Sequence, residues 1–190
     1  MPSKTSSEVK YGIRSSTMLL NEVYFWTDTI KDWKKVLESD NYKNLIVDSW
    51  RTLIMRKKIC VYAFVIMPNH LHMVWEILEM NGKETAYASF NKFTSHAFLH
   101  DLKGMKPDIL KDFQVDEYDR KYRFWQRDPL AVRMYSKKIV EQKINYIHMN
   151  PLNGRWNLAA RPEDYKWSSA GFYETGADDF GVLTDYRERF

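Results

Sequence analysis

Two apolar stretches near the middle of the chain are separated by only three residues. Ile59–Met67 is a continuous apolar run, Pro68 and Asn69 interrupt it, and Leu71–Ile77 resumes it. Such a run is typical of a strand buried on both faces, and a proline followed by an asparagine marks a tight connection. The pattern predicts two consecutive antiparallel strands. It argues against a parallel doubly wound fold, because parallel neighbours need a long crossover between them.

The rest of the chain alternates between helical and strand-like patterns. Apolar residues recur at helical spacing in residues 41–58, 85–102 and 136–150, and the last helix ends before Pro151. Residues 19–27 are β-branched and aromatic and predict a strand, 105–117 predict a loop, and one or two strands are expected around 125–132. This order predicts an α+β fold in which helices pack on an antiparallel sheet.

The composition bounds the domain organisation and the class of protein. The length of 190 residues and the 44% hydrophobic content predict one globular domain at 18–175, preceded by a polar tail at 1–17 and followed by an acidic extension at 176–190. The single cysteine, Cys60, excludes a disulfide scaffold. With no long apolar segment and a polar start, we expect a cytoplasmic protein that does not enter membranes.

The positive charge is concentrated in one segment. The net charge is +4, and residues 120–138 hold seven basic residues against one acid. Aromatic residues are interleaved there, and this mixture is used to stack bases and neutralise the backbone of single-stranded nucleic acid. A solvated basic surface beside ordinary core aromatics is the alternative. The candidate DNA contacts are Arg120, Lys121, Arg123, Trp125, Gln126, Arg127 and Arg133.

The triplet His70-Leu71-His72 lies at the start of the second predicted strand. Side chains alternate faces along a strand, so both imidazoles point to one face while Leu71 points to the other. Two imidazoles about 7 Å apart along a strand can converge on one cation, which makes the pair half of a possible metal site. The alternative is a chance triplet that forms a polar strand face.

A second polar pair lies at the end of the last predicted helix. Tyr146 and Asn150 are four residues apart and therefore share a helix face, which is offset from the apolar stripe that contains Ile144 and Ile147. By spacing alone, the simpler interpretation is a half-buried tyrosine and a helix-terminal asparagine.

Taken together, these segments resemble the HUH single-strand transposases, and most closely the REP-associated tyrosine transposases. The resemblance rests on 68-PNHLH-72 and 146-YIHMNP-151 and extends to 124-FWQR-127 and 162-PEDYKWSSA-170. It implies a ferredoxin-like HUH endonuclease sandwich, with His70, His72 and Asn150 as ligands of a divalent ion (Mg²⁺ or Mn²⁺) and Tyr146 as the nucleophile. The segment 152-LNGRW-156 departs from the commoner family pattern.

The resemblance implies cleavage and transfer of single-stranded or hairpin, REP-like DNA through a 5′-phosphotyrosine intermediate. This chemistry needs no nucleotide cofactor, in keeping with the absence of a Gly-x4-Gly-Lys-Ser/Thr loop from the sequence. Two alternatives remain open: a nickase of the relaxase or replication-initiator type, and a domesticated hairpin-binding protein without turnover. The sequence does not distinguish a monomer from a homodimer.

Overall fold

The computed structural model describes residues 18–190. Its main sheet is antiparallel with the strand order β2-β3-β1-β6. These strands are β1 (Val23–Thr29), β2 (Ile59–Ile66), β3 (His70–Ile77) and β6 (Leu130–Arg133). A separate two-stranded sheet is formed by β4 (Gln114–Glu117) and β5 (Arg120–Tyr122). The helices are α1 (Asp40–Met55), α2 (Ala86–Met105), α3 (Pro107–Lys111), α4 (Lys137–Met149) and α5 (Ala170–Thr175).

The connectivity of the main sheet is that of a ferredoxin-like fold. A helix links β1 to β2, a hairpin links β2 to β3, and a helical segment links β3 to β6, which returns beside β1. The predicted hairpin is present, with the backbone N–H of Met67 donating to the carbonyl of His70 over 2.8 Å. The predicted α+β fold with helices on an antiparallel sheet is confirmed.

The sheet separates two apolar cores. One core contains α1 and α2 and includes Leu71, Met73 and Trp75 of β3, while the other lies under α4 and includes Val74. The alternation predicted for β3 is therefore present, and the histidines at 70 and 72 lie on the α4 face together with Val74. Because β3 is an interior strand with both faces covered, all of its residues are buried.

Several element boundaries differ from the sequence prediction. The segment 105–117 is not a loop, because Pro107 begins the short helix α3 and β4 follows it. Proline is tolerated in the first helical turn, where its missing N–H has no intrahelical partner. The strand expected around 125–132 is confined to β6, while Trp125 makes only an isolated bridge with Ile30.

The C-terminal end of the chain is part of the described structure. The predicted tail at 1–17 lies outside the described residues. At the other end, Val182 is buried, Leu183 pairs with Val61 of β2, and Arg189 forms an ion pair with Glu76 of β3. The acidic C-terminal segment thus packs on the sheet. Among residues 18–190, no helix has the length and apolar character needed to cross a membrane.

Candidate active site

The two imidazoles of β3 form a compact pair on the α4 face of the sheet. The ring centroids of His70 and His72 are 4.7 Å apart, and both side chains are buried. The neighbouring strand β1 places Thr29 opposite His70 and Thr27 opposite His72. The pairing of β3 with β1 thus fixes the backbone of both histidines and the side of the sheet to which their rings point.

Each imidazole has a polar partner at Nδ1. Asn69 Oδ1 lies 2.7 Å from His70 Nδ1, and Thr27 Oγ1 lies 2.7 Å from His72 Nδ1. The Asn69 amide nitrogen donates to the backbone carbonyl of Trp33, so its oxygen faces His70 and accepts the Nδ1 proton. On His70 this leaves the lone pair of Nε2 available. On His72 the Nε2 lone pair is available when the Thr27 hydroxyl accepts the Nδ1 proton instead of donating to Nδ1. Metal-binding histidines have this arrangement, in which an outer residue sets the tautomer.

The environment keeps both rings neutral at physiological pH. Burial lowers the pKa of His70 to about 4, and the charge of Arg155 adds to the effect. Burial also lowers the pKa of His72 well below its usual range, with further contributions from His70 and Lys143. A neutral imidazole keeps the lone pair that a metal ion requires. The pair is therefore suited to bind a cation without first losing protons.

Helix α4 brings Tyr146 to this pair. The Tyr146 ring centroid lies 5.3 Å from that of His72, at an interplanar angle of 62°, and 5.9 Å from that of Phe25. The helix is fixed by its apolar stripe, since Ile144 and Ile147 are buried against the sheet. The tyrosine itself remains 46% exposed. Its phenol is thus placed beside the histidines and open to a large substrate.

Two more polar residues, Lys143 and Asn150, come from α4 and its C-terminal end. We use the name histidine site for His70, His72, Tyr146 and Asn150. Lys143 holds its ammonium group 4.9 Å from the Phe25 ring centroid and 5.7 Å from that of Tyr146. Asn150 lies at the C-terminal end of the helix, one turn after Tyr146, and is only 4% exposed.

The donor set fits a divalent cation. It offers two neutral imidazoles, each in contact with a polar partner at Nδ1, and the buried carboxamide of Asn150. Residues 18–190 contain no cluster of three or more His, Cys, Asp or Glu side chains placed to hold a metal ion. A cation at this site would therefore be held by two histidines and an amide, which leave its double charge intact and other positions free for phosphate oxygens.

The predicted DNA-contact segment lies on a different part of the surface. Arg120, Arg123 and Arg127 surround the Glu117 carboxylate, at nitrogen–oxygen distances of 3.6, 2.8 and 3.1 Å. We call this group the arginine cluster. Arg133 pairs with Glu22, and Lys121 is exposed. Most of these charges are thus partly compensated by carboxylates, which the count of basic residues in the sequence did not reveal.

Trp125 is a correction to the sequence interpretation. Its ring is only 4% exposed, its Nε1 donates to Thr94 Oγ1 over 2.9 Å, and it packs against Phe90 and Phe98. In this conformation the indole is part of the core, and not the exposed ring that base stacking at the surface requires. The spacing of aromatics among basic residues could not separate a surface ring from a core ring.

A cavity of about 820 Å³ lies between α2 and the segment 117–129. Its lining includes the arginine cluster with Glu117, together with Gln126 and Asn91. Five of the seven residues selected from the sequence line it: Arg120, Arg123, Trp125, Gln126 and Arg127. The sequence therefore selected a continuous region of the fold, although one of its members is a core residue.

Sequence reasoning did not assign roles to the partners of the histidines. Asn69 directly precedes the triplet, but nothing in the sequence shows that its amide turns back onto His70. Thr27 lies forty-five positions before His72 and meets it only through strand pairing. Knowledge that β1 pairs with β3 in this register would have predicted the contact between Thr27 and His72.

Comparison with known proteins gives a structural likeness without sequence matches. No protein-family model and no curated protein matches the sequence. A REP-associated tyrosine transposase solved bound to a REP hairpin has a similar structure, with a TM-score of 0.60 and 16% sequence identity. The alignment covers 95% of this chain and 93% of that one. At this identity the likeness shows a shared fold over nearly the whole chain.

Proposed function

We propose that this protein is a metal-dependent DNA strand-transferase that acts on single-stranded or hairpin DNA. The observation that carries the proposal is the meeting of Tyr146 with the His70–His72 pair, at a ring separation of 5.3 Å from His72. These residues come from two elements more than seventy positions apart. The similar fold of a protein solved bound to a REP hairpin supports DNA as the partner.

The proposed reaction exchanges one phosphodiester for another. The phenolic oxygen of Tyr146 forms a bond to the scissile phosphorus, and the bond between that phosphorus and the 3′-oxygen breaks. The phenol loses its proton, and the leaving oxygen takes one up to become a free 3′-hydroxyl. The DNA end is then held as a 5′-phosphotyrosine, which an incoming 3′-hydroxyl reverses without ATP.

Each group of the histidine site has a defined part in this scheme. His70, His72 and Asn150 would hold a magnesium or manganese ion, which when bound supplies Lewis-acid polarisation of the phosphate. Phe25 and His72 hold the Tyr146 ring in place through edge-to-face contacts. Lys143 places positive charge next to the phenol, where the phosphate must enter. The half-exposed position of Tyr146 leaves room for DNA.

The test is formation of a covalent protein–DNA adduct. The full chain is incubated with Mg²⁺ or Mn²⁺ and hairpin oligonucleotides that carry randomised single-stranded extensions, and the products are separated under denaturing conditions. We expect two products with the native chain and neither with Tyr146→Phe: the downstream fragment linked to the protein through its 5′-phosphate, and the upstream fragment released with a free 3′-hydroxyl. Tyr135→Phe is the matched control, because Tyr135 is an exposed tyrosine just before α4.

The outcomes separate this proposal from its alternatives. An adduct that survives Tyr146→Phe contradicts the assigned nucleophile. Hairpin binding without cleavage by the native chain, in either metal, indicates a domesticated DNA-binding protein. Cleavage without any joining to an added 3′-hydroxyl strand indicates a nickase of the relaxase or replication-initiator type.

A further inference from the structure

The turn after β1 holds a tryptophan in an unfavourable backbone conformation. Asp32 and Trp33 are consecutive residues with φ values of 54° and 58°. Residues other than glycine adopt this left-handed region infrequently, and a bulky residue there is an outlier. Burial does not compensate for the strain, because Trp33 remains 52% exposed. Such strain persists where the surrounding structure enforces it, often at functional sites.

One of the contacts that hold this turn comes from Asn69, the neighbour of His70. Asn69 donates from its amide nitrogen to the backbone carbonyl of Trp33 over 3.1 Å, while its amide oxygen accepts from His70. The backbone N–H of Ile30 donates to the Asn69 carbonyl over 2.8 Å. One side chain therefore fixes both the ring of a metal-ligand candidate and the turn that presents the indole. The Trp33 ring centroid lies 6.1 Å from that of His70.

A second indole approaches the same imidazole from the segment that follows α4. The Trp156 ring centroid lies 5.9 Å from that of His70, at an interplanar angle of 45°. The backbone N–H of Trp156 donates to the carbonyl of Asn153, which closes a turn in this segment. The guanidinium of Arg155 lies 5.3 Å from the Trp156 ring centroid. Two indoles and one cation thus surround His70.

We propose that Trp33 and Trp156 form an aromatic slot that binds an unpaired nucleobase of the strand to be cleaved. This inference rests on the proposed function, because a base can reach the slot in this way only if the scissile phosphate binds at the histidine site. A base attached to that phosphate lies within one nucleotide of His70, where both indoles are placed. Base stacking on aromatic rings tolerates any sequence, and Arg155 supplies the charge that a neighbouring phosphate requires.

The first test measures binding without requiring cleavage. The probe is a fluorescein-labelled thymidine oligonucleotide, and its anisotropy is followed as the full chain is added. We expect Trp33→Ala and Trp156→Ala each to weaken binding by about tenfold, which is within the usual range for losing one stacked base. Trp33→Phe should retain most of the affinity. Tyr118→Ala is the control, because it removes a fully exposed aromatic ring from the turn between β4 and β5.

A stability measurement distinguishes a binding role from a structural one. Trp33→Gly removes the indole and also relieves the left-handed strain, so the melting temperature should stay the same or rise while oligonucleotide binding falls. A lower melting temperature that accompanies the loss of binding would mean that Trp33 is a structural residue and would overturn the proposal. Unchanged binding by both Trp33→Ala and Trp156→Ala would also overturn it.

The slot and the proposed function can fail separately. If the native chain binds the oligonucleotide through the two indoles but forms no Tyr146 adduct, the slot stands and the transferase does not. If the native chain forms the adduct, and Trp33→Ala forms it at the same rate and binds the oligonucleotide with the same affinity, the transferase stands and the slot does not. Once the cleavage position is known, an abasic nucleotide beside it should weaken native binding and have no further effect on Trp33→Ala.

Discussion

The histidine site and the arginine cluster are organised in opposite ways. In the first, each imidazole contacts a neutral partner at Nδ1, Asn69 for His70 and Thr27 for His72. In the second, three arginines share the Glu117 carboxylate. The two imidazoles of the first region are buried and neutral, and Tyr146 beside them is partly exposed. The second lies at the surface, and its arginines must exchange a carboxylate for phosphates before they can bind DNA strongly.

The largest expected effect tests whether the buried region performs the chemistry. His72→Ala should reduce the rate of adduct formation by at least about a hundredfold, because polarisation of the phosphate by a metal ion is worth several kcal/mol. The rate is measured by denaturing electrophoresis at saturating hairpin DNA. His100→Ala is the control, since His100 is an exposed histidine of α2 that does not line the cavity beside the arginine cluster. A native rate in His72→Ala would remove the histidine site from the mechanism.

The second prediction tests whether the Thr27 hydroxyl, the neutral partner of His72, increases the affinity of the site for a metal ion. Thr27→Val removes the hydroxyl that contacts His72 Nδ1 and nearly preserves the shape of the side chain. Loss of such an outer contact typically reduces metal affinity by about 10- to 100-fold. We expect the half-saturating concentration of Mn²⁺ for cleavage to rise by this factor and the maximal rate to recover at high Mn²⁺. Thr52→Val on the exposed side of α1 should change neither quantity.

The third prediction concerns Asp28, the residue of β1 next to Thr27 that faces the opposite side of the sheet. Burial raises the pKa of this carboxyl to about 8, and Asn91 and the Thr29 backbone offset part of the effect. Between the ordinary pKa near 4 and about 8, the folded chain holds a proton that the unfolded chain releases. The free energy of unfolding should therefore fall as pH rises, by up to about 1.4 kcal/mol per pH unit.

Asp28→Asn tests this assignment by removing the titrating group. The melting temperature of the native chain should fall between pH 7.5 and pH 8.5, and that of Asp28→Asn should fall less. The buried histidines contribute little in this window, because a histidine with the ordinary pKa near 6.5 is less than about 10% protonated above pH 7.5 in the unfolded chain and is neutral in the folded one. Parallel pH profiles for the two proteins would show that Asp28 does not titrate there.

The smallest expected effect tests compensation within the arginine cluster. Glu117→Gln removes the carboxylate that competes with DNA phosphate for Arg123 and Arg127. Hairpin affinity should rise a few-fold, and its dependence on salt should become steeper. Arg127→Ala should do the reverse and lower the salt slope by about one. Affinity that is insensitive to salt in the native chain would show that phosphate contacts do not dominate the interface.

Local pattern was enough to predict those features that depend on neighbouring residues in the chain. The alternation of β3 placed His70 and His72 on one face and Leu71 on the other, as the two apolar cores confirm. The prediction was wrong where local pattern competes with tertiary packing. Trp125 is interleaved with basic residues in the sequence, yet it fills the core beneath α2. Residues 105–117 follow Gly104 and include Pro107, and they still form a short helix and a strand.

The sequence by itself determined the strand hairpin, the helix that ends at Pro151 and the faces on which the histidines and the tyrosine lie, because these follow from the periods of strands and helices. Only the tertiary structure decided that Thr27 meets His72, that Asn69 joins His70 to Trp33, and that Glu117 gathers three arginines. Those contacts join residues whose pairing depends on register and on the packing of distant segments, and no local period of the chain encodes either.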